Sequence, residues 1–312
     1  MKIIPGPRYR FQGERLQQPE IILVEDHHYD PHTGYALRSL LAASLCPIDQ
    51  HLLVFDHVIR QDEFADCNHV CLPLLLAAEC HEFNQECLLT NWGPRTHAFN
   101  FMINKPRPHR VILLDTIHDM QFKSYKHSLC WSQSYKSIPA TKHMFGDERT
   151  LDQGILNGHH SNASTYHQLL KTAVFEGTCV SLITEPVFWE RETIVTEKTL
   201  MAIWAGTLPI WIGGWKCADA MRDFGFDTFD DVIDHSYQDL DDPHDRCCRA
   251  LLDNRHLLVQ PRDMAPYQDR LKHNLDLLTS NVFFRDIESK ILIRPELASL
   301  VKRFRNGLLA PR

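Results

Sequence analysis

The chain contains no apolar run approaching the roughly 18 residues that a membrane-spanning helix needs. Its start, Met1-Lys2-Ile3-Ile4-Pro5-Gly6, has no apolar stretch of the signal-peptide kind. The expectation is a cytoplasmic protein, in the host cytoplasm if the chain is viral. No internal repeat or low-complexity segment interrupts the 312 residues, which excludes solenoid and disordered-tract architectures. An excess of positive charge is also missing: 33 Lys and Arg stand against 40 Asp and Glu, a net charge of −7. That balance excludes a globally basic nucleic-acid binder. Local basic clusters do occur, at Lys105, Arg107, His109 and Arg110 and again at Lys302, Arg303, Arg305 and Arg312.

The ten cysteines lack the regular spacing of a disulfide scaffold, which favours reduced, mostly buried thiols. Cys67, His69, Cys71, Cys80 and His81 form a loose group. A structural zinc site shows paired elements two to four residues apart, and here a clean second pair is missing. Buried thiols and a metal site both stay open, with the spacing favouring thiols, and no metal is assigned. The nineteen histidines are scattered.

What is present is ordinary globular material, 44% hydrophobic and 23% charged, enough for one large domain or two medium ones. Short continuous apolar runs end in polar turns at Ile21-Ile22-Leu23-Val24, Leu52-Leu53-Val54-Phe55, Cys87-Leu88-Leu89-Thr90 and Phe99-Asn100-Phe101-Met102-Ile103. Such runs mark strands buried on both faces. Helical patterns intervene at 36–45, 71–82 and 108–120. The second half repeats the theme, with strands expected at 174–183 and 208–212 and helices at 196–205, 216–224, 243–258 and 264–285. The fold class is α/β with mostly parallel sheets and C-terminal helices. Two nucleotide-binding-type units are expected, residues 1–150 and 151–312, divided within the turn-rich stretch 135–165.

The most informative segment runs from Thr193 through Thr196-Glu197-Lys198 to Gly206-Thr207-Leu208-Pro209-Ile210. A polar triplet opens a short apolar helix, a glycine closes it, and a buried strand follows. A helix start carries unsatisfied N–H groups and a partial positive charge, so it can receive an anion. Glu197 could accept hydrogen bonds from sugar hydroxyls, and Lys198 could pair with phosphate. The preference of the helix dipole for a carboxylate at that end is the other explanation of Glu197, and the flanking strand–loop–helix context favours donor binding.

Residues 171–240 resemble the C-terminal half of GT-B glycosyltransferases, most closely the family 10 fucosyltransferase-like group and its phage and viral relatives. The resemblance is carried by Phe175-Glu176, Ser181-Leu182-Ile183-Thr184-Glu185, Thr196-Glu197-Lys198 and Ala205-Gly206-Thr207-Leu208-Pro209-Ile210. Downstream, Gly225-Phe226-Asp227-Thr228-Phe229 and Asp234-His235-Ser236-Tyr237 are similar to the ending of the phage-type proteins. Upstream, Asn104-Lys105-Pro106-Arg107-Pro108-His109-Arg110 resembles a basic element of the same group. The chain reads Phe175-Glu176-Gly177-Thr178 where the family commonly has F-E-N-S, and Ile194-Val195 where it has an aromatic. The resemblance implies two Rossmann-like domains of GT-B type, with Glu197 on the donor ribose and Lys198 on the diphosphate. It implies an inverting, metal-independent transfer from a nucleotide-sugar co-substrate, without any other cofactor. The acceptor would be a glycan or a hydroxymethylated pyrimidine in phage DNA.

The remaining candidates follow from chemistry. Inversion needs a base on the acceptor hydroxyl, and Glu25 or Asp26, at the end of the first strand, could serve. Together with His27, His28, Asp30 and His32 they could instead bind a metal or be loop polar residues. Glu185 ends a buried strand at the sheet edge where ligands of α/β folds gather. Arg107 and Arg110 oppose the dipole of the helix they open, which needs a reason such as phosphate; a solvated or ion-paired surface is the other reading. Thr196 would hold the donor with Glu197 and Lys198. Asp239-Leu240-Asp241-Asp242 contains a D-x-D pattern, but Asp242-Pro243 reads as a helix cap. A non-catalytic sugar-nucleotide or glycan-binding protein on a transferase scaffold is the alternative.

Overall fold

The computed structural model describes residues 2–5, 21–25, 40–42, 44–45, 52–55, 68–71, 95–103, 108–129, 174–185, 193, 195–212, 215–280 and 289. These hold an α/β fold with two four-stranded sheets, each wholly parallel. The first sheet joins β1 (Lys2–Pro5), β2 (Ile21–Glu25), β3 (Leu52–Phe55) and β4 (Asn68–Cys71) in sequence order. The expected strands at 21–24 and 52–55 are present in it. The expected strand at 87–90 and the helix at 71–82 lie outside the described residues, except that Cys71 ends β4.

The second sheet is ordered β6-β5-β7-β8, from β5 (His97–Ile103), β6 (Tyr125–Leu129), β7 (Thr178–Thr184) and β8 (Leu208–Ile212). The strand at 97–103 therefore pairs with β6 and with β7, a strand of the second half, rather than with the first sheet. A division at residue 150 falls inside the sequence span of this sheet. Periodicity could not decide this, because every strand buried on both faces reads as the same apolar run. Its partners are set by packing: Phe99 lies opposite Val180 on one side and Tyr125 on the other, stacked on the Tyr125 ring at 5.2 Å.

From the central β5–β7 pair the chain winds outward both ways. Helix α1 (Pro108–Asp119) connects β5 to the edge strand β6, and α2 (Glu197–Trp204) connects β7 to β8. Right-handed crossovers running in opposite directions place these two helices on opposite faces. The packing agrees: α1 lies against α4 (Pro243–Asp253), while α2 lies on β7 and β8 under α6 (Gln268–Thr279). Between them come α3 (Cys217–Asp223) and, after α4, the short α5 (Arg255–Leu258). Every residue of β7 and β8 is buried, as a sheet covered on both sides requires. One continuous core runs from Phe101 and Leu182 in the sheet to Leu114 of α1 and Leu251 of α4.

Local rules explain the helix boundaries. Past α2, Gly206 takes φ +58°, and the N–H groups of Gly206 and Thr207 return to the carbonyls of Ile203 and Ala202 at 3.0 and 3.1 Å. This left-handed closure satisfies carbonyls the helix leaves open. Asp242 caps α4 by accepting from the N–H groups of His244 and Asp245, with Pro243 in the first helical position, as its sequence context predicted. No described helix is long and apolar enough to cross a membrane.

Candidate functional site

Where β5 turns back toward β6 and β7 toward β8, the winding of the second sheet reverses. In parallel α/β sheets the carboxyl edge at such a reversal is where strands part and ligands settle. Among the described residues the first sheet, in the order β1-β2-β3-β4, has no such reversal. At the β5–β7 seam the backbone register ends at Phe101 opposite Leu182. Beyond it the strands are tied by a side chain: Thr184 Oγ1 donates to the carbonyl of Met102 at 3.1 Å. The starts of α1 and α2 flank this seam from the two faces.

Glu185 follows β7 directly and is fully buried. Its Oε1 accepts from the Thr196 N–H at 3.0 Å and from Thr199 Oγ1 at 2.7 Å, while Oε2 accepts from Thr196 Oγ1. Thr199 Oγ1 in turn accepts from the indole Nε1 of Trp211, in β8, at 3.0 Å. A carboxylate taken out of water costs several kcal/mol unless hydrogen-bonded, roughly as these three donors provide. Burial pushes the nearby Cys217 thiol well above its usual value, the charge of Glu185 pushes it further, and buried Arg246 opposes them.

The same carboxylate reaches the helix start. Thr196 is the N-cap, in extended backbone conformation, and its hydroxyl accepts from the Lys198 N–H at a long 3.5 Å. Thr199 N bonds the Thr196 carbonyl at 3.0 Å. The carboxylate of Glu185 thus bonds the N–H and hydroxyl of the cap residue itself, and Thr196 is 5% exposed. Lys198 is half-buried and its Nζ donates to Thr196 Oγ1 at 3.2 Å. Glu197 is the first residue of α2.

Arg110 is 4% exposed, and its Nη2 donates to the Thr184 carbonyl at 3.1 Å, which ties α1 to the end of β7. His109 is likewise buried. Glu25 is the last residue of β2, in register with Pro5. Asp26 and Arg107 lie outside the described residues, as do Cys67, Cys80 and His81 of the Cys/His group. Among the described residues no group of three or more His, Cys, Asp or Glu is arranged to hold a metal ion. The structure therefore brings Glu185, Thr196, Lys198 and Arg110 to one seam, with the start of α2 carrying Glu197.

Two other sequence features prove architectural. In Gly225-Phe226-Asp227-Thr228-Phe229, Asp227 accepts from Arg270 through Nε at 2.6 Å and Nη2 at 2.8 Å, and from the Phe229 N–H at 2.8 Å. Asn274 closes the same loop from α6 by bonding the N–H and carbonyl of Asp227. In Asp234-His235-Ser236-Tyr237, the tyrosine hydroxyl donates to the Trp211 carbonyl at 3.0 Å. A surface concavity of about 660 Å³ lies beside these loops, away from the seam. It is rich in aspartates, but Asp230 and Asp219 are held by Arg222, and Asp239 by Lys216.

Thr199 and Trp211 were missed as members of the buried network. A signal existed for one of them: an indole N–H in a fully buried strand must find an acceptor. Comparison with protein-family models, with curated proteins and with solved structures finds no match to this chain.

Proposed function

We propose that the second sheet binds a nucleotide-activated sugar at the β5–β7 seam and that the protein transfers the sugar to an acceptor hydroxyl. The observation that carries this reading is the start of α2, bearing Glu197 and Lys198, beside the winding reversal of a parallel sheet. Since Thr196 already caps the helix and Glu185 holds that cap, the diphosphate would lie outward of the helix axis, on Lys198, and the ribose hydroxyls on Glu197. In the transfer, the bond from the anomeric carbon to the diphosphate oxygen breaks while the acceptor oxygen bonds to that carbon with inversion. The acceptor proton passes to a base, for which Glu25 and Asp26 are the candidates. Lys198 stabilises the charge gathering on the departing diphosphate, electrostatic catalysis by a fixed group. The acceptor is a glycan or a modified pyrimidine in DNA, and salt-sensitive binding to duplex DNA would single out the second.

The test is a screen of UDP-, GDP-, CMP- and dTDP-sugars for thermal stabilisation. At about 100 times the dissociation constant, a bound donor adds about 2.7 kcal/mol. Lys198→Ala should weaken the active donor by about 1.5–3 kcal/mol, the worth of a charge-assisted hydrogen bond. No shift with any donor, or full transfer by Lys198→Ala, would end the proposal. One observation favours the non-catalytic alternative: Glu185, a carboxylate at the seam, has both oxygens committed within the fold. Donor binding without hydrolysis or transfer would select that reading.

A further inference from the structure

Two donors near the start of α2 cannot reverse their role, because the backbone N–H of Thr196 and the indole N–H of Trp211 can only donate. Trp211 Nε1 takes a lone pair of Thr199 Oγ1, which turns that hydroxyl's hydrogen toward Glu185 Oε1. Thr196 N reaches the same oxygen. At Thr196 Oγ1, two further donors converge, the backbone N–H and the ammonium of Lys198 at 3.5 and 3.2 Å. With its lone pairs so engaged, the hydroxyl's own hydrogen goes to Glu185 Oε2. Donor and acceptor are thereby assigned along the chain from Trp211 to Lys198.

We propose that Glu185 is a positioning residue: by accepting at both oxygens it orients the Thr196 hydroxyl so that its lone pairs face α2, and through that hydroxyl it holds the Lys198 ammonium at the carboxyl edge of the sheet. The functional weight of this arrangement rests on the proposed ligand role of Lys198. The hydrogen-bond polarity itself belongs to the unliganded protein. Glu185→Gln keeps the shape but reverses one end. Its amide nitrogen must face either Thr196 Oγ1, which already receives two donors, or the pair Thr196 N and Thr199 Oγ1, which are donors themselves. The first arrangement is the less costly, and it displaces Lys198.

The experiment is competitive acylation of the full chain by limiting acetic anhydride, without ligand, with the rate at each lysine read by mass spectrometry. Lys198 should react about fivefold faster in Glu185→Gln, which corresponds to about 1 kcal/mol, the net worth of one hydrogen bond. Thr199→Val also removes a bond to the carboxylate but leaves Thr196 oriented. Lys198 should there stay within about twofold of wild type, the scale of an uncoupled substitution. Thr196→Ser should keep the wild-type rate, and Thr196→Val should raise it as Glu185→Gln does. Unchanged Lys198 reactivity in Glu185→Gln overturns the proposal, as does unchanged reactivity in Thr196→Val if the glutamine variant does not fold. An equal rise in Thr199→Val also overturns it, since that marks general loosening of α2. A failed donor screen combined with altered Lys198 reactivity defeats the ligand reading and leaves the positioning role standing.

Discussion

Asp227→Ala tests whether the Gly225–Phe229 segment is architecture. Asp227 receives a two-point guanidinium contact from Arg270 and the N–H of Phe229, which is fully buried and held at φ +60°, a left-handed conformation costly for an aromatic residue. Arg270 also lies over the Phe229 ring at 4.6 Å, so pair and turn brace each other. The pair is partly exposed, 31% for Arg270 and 27% for Asp227, so after screening it contributes about 1–2 kcal/mol. An orphaned Phe229 N–H adds about 1 kcal/mol. Asp231, the second partner of Arg270, is 67% exposed and adds little. The expected loss is about 2–3 kcal/mol, or roughly 4–6 °C in melting temperature for a chain of this size. Urea and thermal unfolding would measure it, and a cycle with Arg270→Met would isolate the pair. Asp227→Asn should lose about half as much, because its amide oxygen can still accept from Phe229. A loss below about 0.5 kcal/mol for Asp227→Ala, the level of an ordinary surface change, would refute the reasoning.

Acid sensitivity should come in two stages. Burial holds His235 below its usual value, so protons favour the unfolded chain; its contribution is complete above about pH 6.5 and declines as pH falls below it. Arg270, Arg222 and the Ser236 hydroxyl hold Asp227, Asp230 and Asp234 respectively below the usual carboxylate range, and their contribution is lost only as pH falls below about 4. Melting temperatures of His235→Gln should therefore fall less steeply than wild type between pH 7 and 5; identical slopes would contradict the assignment. Gly177 takes φ +67°, and a Cβ there would lie 2.8 Å from Thr96 Oγ1, so Gly177→Ala should cost about 1–2 kcal/mol in denaturant unfolding. Among Cys179, Cys217, Cys247 and Cys248, half-buried Cys248 should react first with a thiol reagent in the native protein and Cys217 last, since Cys217 is wholly enclosed and its thiol is held protonated.

The elements of the second half were largely legible. The helix at 197–204 and strand at 208–212 agree with their patterns because cap, apolar face and closing glycine are encoded within a few residues of one another. The edge strand Tyr125-Lys126-His127-Ser128-Leu129 was missed, since an edge position tolerates a mixed composition that resembles a loop. The candidate site was legible as a location and less so as chemistry. Glu185, Thr196 and Arg110 were singled out as charged or polar residues at helix and strand ends, and the structure turns all three inward.

By itself the sequence determined the α/β class, the sites of most described strands and helices, and the cap at Asp242, because each depends on periodicity or on neighbours three or four residues away. Tertiary structure decided which sheet receives residues 97–103, where the winding reverses, and that a strand-end carboxylate holds a helix cap eleven residues further on. Those outcomes depend on which distant groups meet in a dry interior. There, a buried donor or acceptor must find its partner wherever the fold brings one.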